Sequence, residues 1–352
     1  MTKKVVLGMS GGVDSSLSAH LLQEEGYEVI GVTMALYNGT GCSTKENIED
    51  ARAVANQLGI PFHVLHMEKE FDEEVIQYFV EEYKSGKTPN PCVICNRRIK
   101  FDLFLEEAKK LGADYIATGH YGKVKYDEEK GRYLLLEGAD KKKDQSYFLY
   151  RLTQDQLKHI IMPLADYTKE EVRELSKKFN LPVAEKKDSE DICFIPDGNA
   201  GNFLKNYEDG NSPGNFVDME GNILGKHKGI MYYTVGQRRG LGLAMGKRVF
   251  VKAIKPDTNE IVIGEEEELY SQGCIAKDIN LIAMEKLTEP IHGEGKIRYS
   301  KEKYPCTMYP MENGKMKVIF DEKVRAVTKG QAVVIYDKDM VIGGGTIEEV
   351  IK

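Results

Sequence analysis

The segment GMSGGVDSS, residues 8–16, has the residue types of a loop that binds phosphate groups. Gly11 and Gly12 have no Cβ, so the backbone can approach a ligand closely and point its N–H groups at phosphate oxygens. Three serines add hydroxyl donors, and Asp14 either holds a magnesium ion or orients the loop. The segment lacks the Lys-Ser/Thr ending of a Walker A loop, so transfer of a γ-phosphate is not indicated.

A second segment with reactive residues is TPNPCVICNRRIKF, residues 88–101. Its two prolines predict a rigid extended loop that presents Asn90 and Cys92, rather than a helix that buries them. Cys92 and Cys95 form a C-x-x-C at a predicted helix start, where the helix dipole and the two arginines that follow favour thiolate over thiol. Four interpretations stay open: a redox pair, metal or iron-sulfur ligands, a nucleophile with a neighbour, or two small core residues.

A lone cysteine, Cys193, follows in DSEDICFIP, residues 188–196. Taken alone, it is typical of a small buried hydrophobic residue.

The elements around these residues must bring them together. Strands and helices alternate along the first half of the chain, with buried strands predicted at residues 5–7, 27–34, 62–65 and 115–118. Alternation of this kind predicts an α/β fold with a doubly wound parallel sheet, whose ligands bind at the carboxyl ends of the strands. The phosphate loop, Met34 and the segment containing Gly119 and His120 all lie at such ends. One nucleotide can touch all three, although His120 is equally explained as a structural histidine.

The second half of the chain predicts two further domains. We expect a catalytic domain over residues 1–198, a small central domain over 199–266 and a carboxyl-terminal domain over 267–352. In the central domain, residues 230–243 predict a β-hairpin whose basic turn, residues 237–239, is either a nucleic-acid contact or an exposed loop. Period-two alternation beyond residue 269 predicts a small antiparallel β-barrel.

Composition limits the class of protein. The chain has 352 residues, 41% of them hydrophobic, and contains no apolar run long enough to span a bilayer, which predicts a soluble protein that does not act on membranes. The first strand follows directly after Met-Thr-Lys-Lys, which favours a cytoplasmic location. Six cysteines over this length favour reduced thiols with a chemical role over a disulfide scaffold. The net charge of −7 argues against a general nucleic-acid coat protein but allows a local basic groove.

Six motifs in a fixed order carry a resemblance that covers essentially the whole chain. They are GMSGGVDSS, TPNPCVICN, ATGHY, KDQSYFL, SEDICFI and YTVGQRRGLG. The first resembles the SGGxDS loop of the ATP pyrophosphatase superfamily, and the ordered set resembles the tRNA-specific 2-thiouridylases, the MnmA family. These enzymes convert the wobble uridine of tRNA, position 34, to 2-thiouridine.

The resemblance implies a role for particular residues. It implies that Cys95 is the nucleophile and that Cys193 carries a persulfide, the sulfur being supplied by a cysteine desulfurase or a sulfur relay protein. It implies tRNAs for lysine, glutamate and glutamine as substrates, and ATP with Mg²⁺ as cosubstrate. The ATP-binding positions are Gly8, Met9, Ser10, Gly11, Gly12, Val13, Asp14, Ser15, Met34 and Gly119. The tRNA-binding positions are Asn90, Pro91, Cys92, His120, Lys143, Asp144, Gln145, Arg298, Tyr299 and Gln331.

The chain departs from the family pattern at Cys92, where many members have Asp. With Cys95 and Cys193 this gives three possible thiolate ligands, enough for a [4Fe-4S] cluster that leaves one iron open for sulfur. A cluster-dependent thiolation is therefore an alternative to the persulfide route, and no metal site is certain from the sequence.

Two other functional classes use only part of the pattern. The phosphate loop alone fits an adenylating ligase or amidotransferase that acts on a small carboxylate, and such an enzyme does not need Cys95 or Cys193. A non-catalytic tRNA-binding protein that keeps ATP as a structural ligand would bind tRNA without releasing AMP.

Overall fold

The computed structural model describes residues 2–37, 44–187, 192–207, 209 and 212–352. Its first part contains seven strands: β1 (Lys4–Gly8), β2 (Glu28–Ala35), β3 (Phe62–His66), β4 (Tyr115–Thr118), β5 (Gly122–Asp127), β6 (Arg132–Glu137) and β7 (Ile160–Ile161). Strands β3, β2, β1, β4 and β7 lie side by side in that order and all pair in parallel. Strands β5 and β6 form an antiparallel hairpin.

Both faces of this sheet are covered by helices, as the continuous apolar sequence of β1 requires. Val5 and Leu7 pack with Leu22 and with residues of the next helix on one face, whereas Val6 packs with Phe104 on the other. Because successive side chains of a strand point to opposite faces, a strand covered on both sides must be apolar at every position. The predicted doubly wound parallel sheet is confirmed.

Most helices in the described residues are short, and two π-helical segments join four of them. Asp72–Ile76 joins α3 to α4, and Asn96–Leu103 joins α5 to α6. The α-helices are α1 (Val13–Glu24), α2 (Lys45–Leu58), α3 (Glu68–Phe71), α4 (Gln77–Lys84), α5 (Pro91–Cys95), α6 (Phe104–Lys110), α7 (Ser146–Leu149), α8 (Gln154–Lys158), α9 (Lys169–Lys178) and α10 (Ala200–Leu204). Single 3₁₀ turns lie at Lys205–Tyr207, Ile230–Tyr232, Pro256–Thr258, Glu267–Leu269 and Glu312–Gly314.

The central part contains a four-stranded sheet made of β8 (Gly214–Val217), β9 (Ile223–His227), β10 (Phe250–Lys255) and β11 (Glu260–Gly264). The strand order is β10, β11, β8, β9. The prediction of a hairpin over residues 230–243 is wrong, because this segment forms the turn Ile230–Tyr232 and then irregular backbone. Antiparallel pairs form instead between β8 and β9 and between β10 and β11.

The last part is a closed antiparallel barrel of six strands, as the period-two alternation predicts. The strands are β12 (Tyr270–Leu281), β13 (Ile291–Lys296), β14 (Tyr304–Pro310), β15 (Met316–Arg325), β16 (Ala332–Asp337) and β17 (Met340–Ile351). They follow one another in the order β12, β15, β14, β13, β16, β17, and pairing of β12 with β17 closes the ring. The β5–β6 hairpin extends this sheet through the pair Leu136 and Met340.

The barrel and the parallel-sheet part share a hydrophobic core. Tyr147 and Tyr150, from the first part, belong to the same buried cluster as Val334 and Tyr336 of β16. Burial of large aromatic side chains on both sides of a junction holds two units in a fixed relation. Along the described ranges, no helix combines the length and the apolar character needed to cross a membrane.

Candidate active site

The predicted phosphate loop lies between β1 and α1, at the carboxyl edge of the parallel sheet. Gly8 ends β1, and Gly12 is the N-cap of α1 without contributing a side-chain hydrogen bond. The loop is held internally, since Ser10 N donates to Ser15 Oγ at 3.2 Å and Ser16 Oγ donates to Gly12 O at 2.8 Å. The first turn of α1 therefore begins without a capping side chain from its N-cap, which leaves its positive end suited to an anion.

Close approach of neighbouring backbone explains two of the glycines. Gly11 has φ +70°, and a Cβ there would overlap the carbonyl oxygen of Asn47 in α2. A Cβ on Gly119, after β4, would lie 2.9 Å from Ser15 N. Any side chain at either position would push the loop away from the segments that shape it. Both glycines are thus required by the geometry of the loop.

Asp14, in the first turn of α1, has two strong partners. Lys169 Nζ lies 2.7 Å from its Oδ1 and 2.8 Å from its Oδ2, and Tyr121 Oη donates to Oδ1 at 2.7 Å. The Lys169 side chain is only 12% exposed, so solvent screens this ion pair weakly. Of the two roles that the sequence leaves open for Asp14, this arrangement favours orientation of the loop over direct binding of magnesium.

The two predicted catalytic cysteines contact one hydrophobic cluster although they are remote in sequence. Cys95 ends α5 and belongs to a buried cluster with Phe79 and Phe194, and half-buried Cys193 packs against the same cluster. Met34 of β2 also packs there, and its Cε lies 3.3 Å from the position that a Cβ on Gly8 would occupy. The cysteines and the start of the phosphate loop are therefore joined through one packed cluster. Residues 188–191, which precede Cys193 in its motif, lie outside the described residues.

The surroundings of Cys92 differ from the sequence expectation in two ways. Helix α5 begins at Pro91, so Cys92 lies in a helical turn rather than in an extended loop, and Asn90 is the N-cap. Burial raises the pKa of the Cys92 thiol, and the nearby Lys100 opposes this only in part. The predicted preference for thiolate is therefore wrong for Cys92, because the cost of burying the charged form outweighs the positive charge nearby.

The three cysteines do not fit an iron-sulfur cluster in this arrangement. A cluster of this kind needs three thiolates close enough together to bind it at the same time. Within the part of the chain that the structure describes, no group of three His, Cys, Asp or Glu side chains is arranged to hold a metal ion. Cys92, Cys95 and Cys193 are thiols outside any disulfide.

The segment before α5 is attached to the barrel. Gln331 Nε2 donates to the carbonyl oxygens of Thr88 and Pro89, at 2.9 and 3.2 Å, and Thr88 N donates to Lys329 O at 2.9 Å. Asn90 hydrogen-bonds to the hydroxyl of buried Tyr147, which itself donates to Ala332 O at 3.0 Å. The predicted tRNA-binding positions Asn90, Pro91, Cys92 and Gln331 thus lie together where α5 meets the barrel.

The loop at residues 143–145 lies beside the predicted barrel contacts. Tyr299 is 48% exposed, and its ring packs 4.4 Å from the ring of Phe148. Arg298, next to it, donates to Arg325 O at 2.6 Å. Burial raises the pKa of the Tyr299 hydroxyl, and the charge of Lys143 lowers it in part. An exposed aromatic ring beside basic groups is a surface on which a base can stack.

Three of the predicted tRNA-binding residues, Pro91, His120 and Asp144, are buried, and two of these have polar side chains. Asp144 is 4% exposed, and its carboxylate accepts hydrogen bonds from Gly138 N at 3.1 Å and Ser146 Oγ at 2.7 Å. His120 is 8% exposed, hydrogen-bonds to Thr118 Oγ1 at 2.8 Å, and has a pKa well below its usual value, first through burial and then through Lys100. Both side chains are satisfied within the protein, and this supports the structural interpretation of His120.

Sequence reasoning missed Tyr121, Lys169 and the buried ionic cluster at the barrel. In that cluster Glu137 lies 3.2 Å from Lys296 and 3.0 Å from Lys303, two residues of the barrel part. Burial raises the pKa of Glu137, but the lysines more than offset it, so the net pKa is lowered. Tyr121 is the last residue of the ATGHY motif, which is a usable signal, whereas nothing in the local sequence marks Lys169, Glu137 or Lys296.

Comparison with known proteins finds matches along nearly the whole chain. A family model described as tRNA methyl transferase HUP domain matches residues 3–197. The tRNA methyl transferase PRC-barrel domain matches residues 201–265, and the aminomethyltransferase beta-barrel domain matches 271–347. A relative from Clostridium perfringens, tRNA-specific 2-thiouridylase MnmA, is 52% identical over 358 residues, which cover 99% of each chain. A second, with the same name, from Clostridioides difficile is 51% identical over 357 residues and 99% of each chain.

The chain belongs to the tRNA-specific 2-thiouridylase (MnmA) family. Members of this family are tRNA-uridine 2-sulfurtransferases, and the chain is an enzyme of that family. Among solved structures, a 4-thiouridine synthetase in complex with RNA and bound ATP matches with a TM-score of 0.39 and 20% identity. That match covers 55% of this chain and 45% of the other.

Proposed function

We propose that this enzyme thiolates C2 of the wobble uridine of tRNA in two steps, with ATP and a cysteine persulfide as cosubstrates. One observation carries the proposal: Cys95, Cys193 and Met34 pack against a single cluster at the carboxyl edge of the sheet. Two thiols in one cluster that reaches the start of the phosphate loop through Met34 suit an activated carbonyl and a sulfur donor. An adenylating ligase has no use for this pair of cysteines.

The first step activates the uracil. O2 of the base attacks the α-phosphorus of ATP, a P–O bond forms, and pyrophosphate leaves; the proposed binding positions are Gly8–Ser15, Met34 and Gly119. The N–H groups at the start of α1 stabilise charge on the departing pyrophosphate, which is their natural role at a helix N-terminus. Mg²⁺ is proposed to enter with the ATP phosphates, while Asp14 stays paired with Lys169.

The second step transfers sulfur. The terminal sulfur of a Cys193 persulfide attacks C2 and expels AMP, which leaves a C2–S–Sγ linkage. Cys95 then attacks Sγ of Cys193, so the thiocarbonyl of 2-thiouridine is released and a Cys95–Cys193 disulfide forms. In a variant of this step, Cys95 attacks first and hydrosulfide is the species that reaches C2. Either way a dithiol reductant restores the thiols, and a desulfurase or relay protein reloads Cys193.

The tRNA is proposed to lie across the junction of the parallel-sheet part and the barrel. Asn90, Pro91, Cys92 and Gln331 form one contact, and the loop with Lys143, Asp144 and Gln145 forms the other with Arg298 and Tyr299. Asp144 and His120 contribute by holding backbone in place, since both side chains are buried. The uridine leaves the anticodon stack to reach the cysteines, at a cost of a few kcal/mol.

The decisive experiment uses chelator-treated, iron-free protein with ATP, magnesium, unmodified tRNA and a persulfide-generating desulfurase. Digested nucleosides are read by mass spectrometry. We expect 2-thiouridine from the wild type and none above background from Cys193→Ser or Cys95→Ser. Cys306→Ala, which removes a thiol buried in the barrel, serves as the control and keeps activity. Turnover by Cys193→Ser would refute the sulfur-transfer assignment, and activity that returned only after iron was added would favour the cluster route.

A further inference from the structure

Tyr121 connects the phosphate loop to the predicted tRNA loop through three hydrogen bonds. Its hydroxyl donates to Asp14 Oδ1 at 2.7 Å. Its backbone N donates to Gln145 Oε1 at 3.0 Å, and Gln145 N donates to the Tyr121 carbonyl oxygen at 2.7 Å. Tyr121 is 3% exposed and packs among Val13 and Leu17 of α1, so its ring has little freedom to move independently. A displacement of Gln145 is therefore transmitted to Asp14.

Lys169 forms a second connection between the same two places. Its Nζ bridges both carboxylate oxygens of Asp14, and its backbone N donates to Asp140 Oδ2 at 3.0 Å. The other oxygen of Asp140 accepts from Lys142 N at 2.9 Å and Lys143 N at 3.3 Å. The two connections start from one carboxylate and end at opposite ends of the segment 143–145, at Gln145 and at Lys143.

That segment is also fixed to the barrel. Asp144 Oδ2 lies 3.8 Å from Lys296 Nζ of β13, and Ser146 Oγ lies within 3.2 Å of the Tyr336 hydroxyl of β16. A tRNA that contacts both the barrel and residues 143–145 thus bears on a segment whose hydrogen bonds lead back to the first turn of α1. Charge-assisted bonds in a protected setting resist rearrangement, and this makes them suited to transmit such a contact.

We propose that Tyr121 and Lys169 are positioning residues that couple tRNA binding at residues 143–145 to anion binding in the phosphate loop. The proposal rests on the proposed function, because it takes ATP and tRNA as the two ligands. Asp14 sits where α1 begins, so its position sets the direction of the N–H groups that face the phosphates. Coupling of this kind is reciprocal, and each ligand must tighten binding of the other by the same factor. ATP is then bound most tightly when a tRNA is in place.

The test must exclude direct contact between the two ligands. We therefore use magnesium pyrophosphate as the probe of the phosphate loop and a tRNA that is abasic at position 34. Because this tRNA lacks the reacting base, it cannot contact the pyrophosphate through that base. Titration calorimetry gives the dissociation constant of pyrophosphate with and without this tRNA, and the ratio of the two constants measures the coupling.

For the wild type we expect a ratio of about 5 or more. Tyr121→Phe keeps the ring in its cluster but deletes the bond to Asp14, and we expect its ratio to fall to within about twofold of unity. Lys169→Met removes the second connection and is expected to lower the ratio as well. The matched control is Tyr126→Phe on β5, whose ring is 49% exposed and packs on Tyr133; it should keep the wild-type ratio.

A wild-type ratio near unity, or an unchanged ratio in both variants, would overturn the coupling. Melting temperatures verify that each variant is folded. If Tyr121→Phe is not folded, the ratio measured for Lys169→Met tests the coupling alone. The thiolation assay is run in parallel on full tRNA with wild-type protein. Failure to form 2-thiouridine there refutes the proposed function, whereas thiolation together with an unchanged ratio in the variants refutes only the coupling.

Discussion

At the scale of single residues, burial decides which groups near the cysteines carry charge. His120 is buried beside Phe101 and Lys100, and both the burial and the lysine charge favour the neutral imidazole. In the unfolded chain this histidine binds a proton below about pH 6.5. The folded state therefore binds fewer protons than the unfolded state at mildly acidic pH. Its contribution to stability is complete above pH 6.5 and is lost as the pH falls toward the folded-state pKa.

We therefore predict that His120→Gln flattens the pH dependence of stability. Between pH 7 and pH 5 the wild type should lose up to about 1.4 kcal/mol per pH unit more than the variant, because glutamine cannot take up the proton. Urea unfolding of both proteins across this range measures the difference. Parallel stability curves for the two proteins would show that His120 titrates normally in the folded enzyme.

At the scale of elements, the turn at Gly330 fixes the segment that carries the cysteine helix. Gly330 has φ +89°, and a Cβ there would lie 3.0 Å from Lys87 Cβ and 3.1 Å from Thr88 O. Gly330→Ala should therefore strain its own backbone, by about 1–2 kcal/mol, and also push Thr88 and the start of α5 away from the barrel. Small displacements of reacting groups are costly, so we expect thiolation to fall by about tenfold or more.

Gly314→Ala is the matched control for this prediction. Gly314 also lies in the barrel part with a positive φ of +69°, but a Cβ there would meet nothing within 4 Å. It should show the backbone cost in its melting temperature and keep its thiolation rate. Equal rates for the two variants would mean that the contact with Thr88 does not position the cysteines.

Much of the fold follows from local sequence pattern. Strand β4 has the predicted bounds, Tyr115–Thr118, because a short apolar run in a parallel sheet is buried on both faces. Apolar residues also predict a strand from Ile230, but this prediction is wrong because a 3₁₀ turn forms there. There Ile230 packs into the core of the central part, whereas Met231 packs into the cluster of Cys95. The apolar residues at that point are buried without pairing to a strand. Sequence alone does not distinguish such a segment from a buried strand.

The candidate site was predicted in part for a similar reason. The phosphate loop and the C-x-x-C carry their signal in local spacing, so both could be found. The partners of Asp14, in contrast, come from Tyr121 and Lys169, which the fold brings to it from other elements. Roles for Cys95 and Cys193 came from the family resemblance and stay proposals. The domain boundaries after residues 198 and 266 also stay predictions.

At the scale of the whole molecule, the chain is acidic overall but must accept a polyanion. A net charge of −7 means that long-range repulsion opposes tRNA binding, so local basic groups must supply the attraction. Lys141 and Lys296 are engaged with Glu137 within the protein, and this reduces what they can offer a phosphate. Arg238 and Arg239, in the central part, are both exposed. We expect them to supply part of the attraction for tRNA.

The affinity for tRNA should fall steeply with salt, because each phosphate neutralised by the protein releases counterions. If Arg238 and Arg239 each contact a phosphate, replacing both with Ala should lower the slope of log K against log salt by about 1 to 2. The control, Lys3→Ala with Lys4→Ala, removes the same charge from the amino end of β1, at the opposite edge of the sheet from the phosphate loop. Filter binding over a range of salt concentrations gives both slopes. A slope that changes equally in the two double variants would mean that only net charge matters, and the central part would then have no specific contact with tRNA.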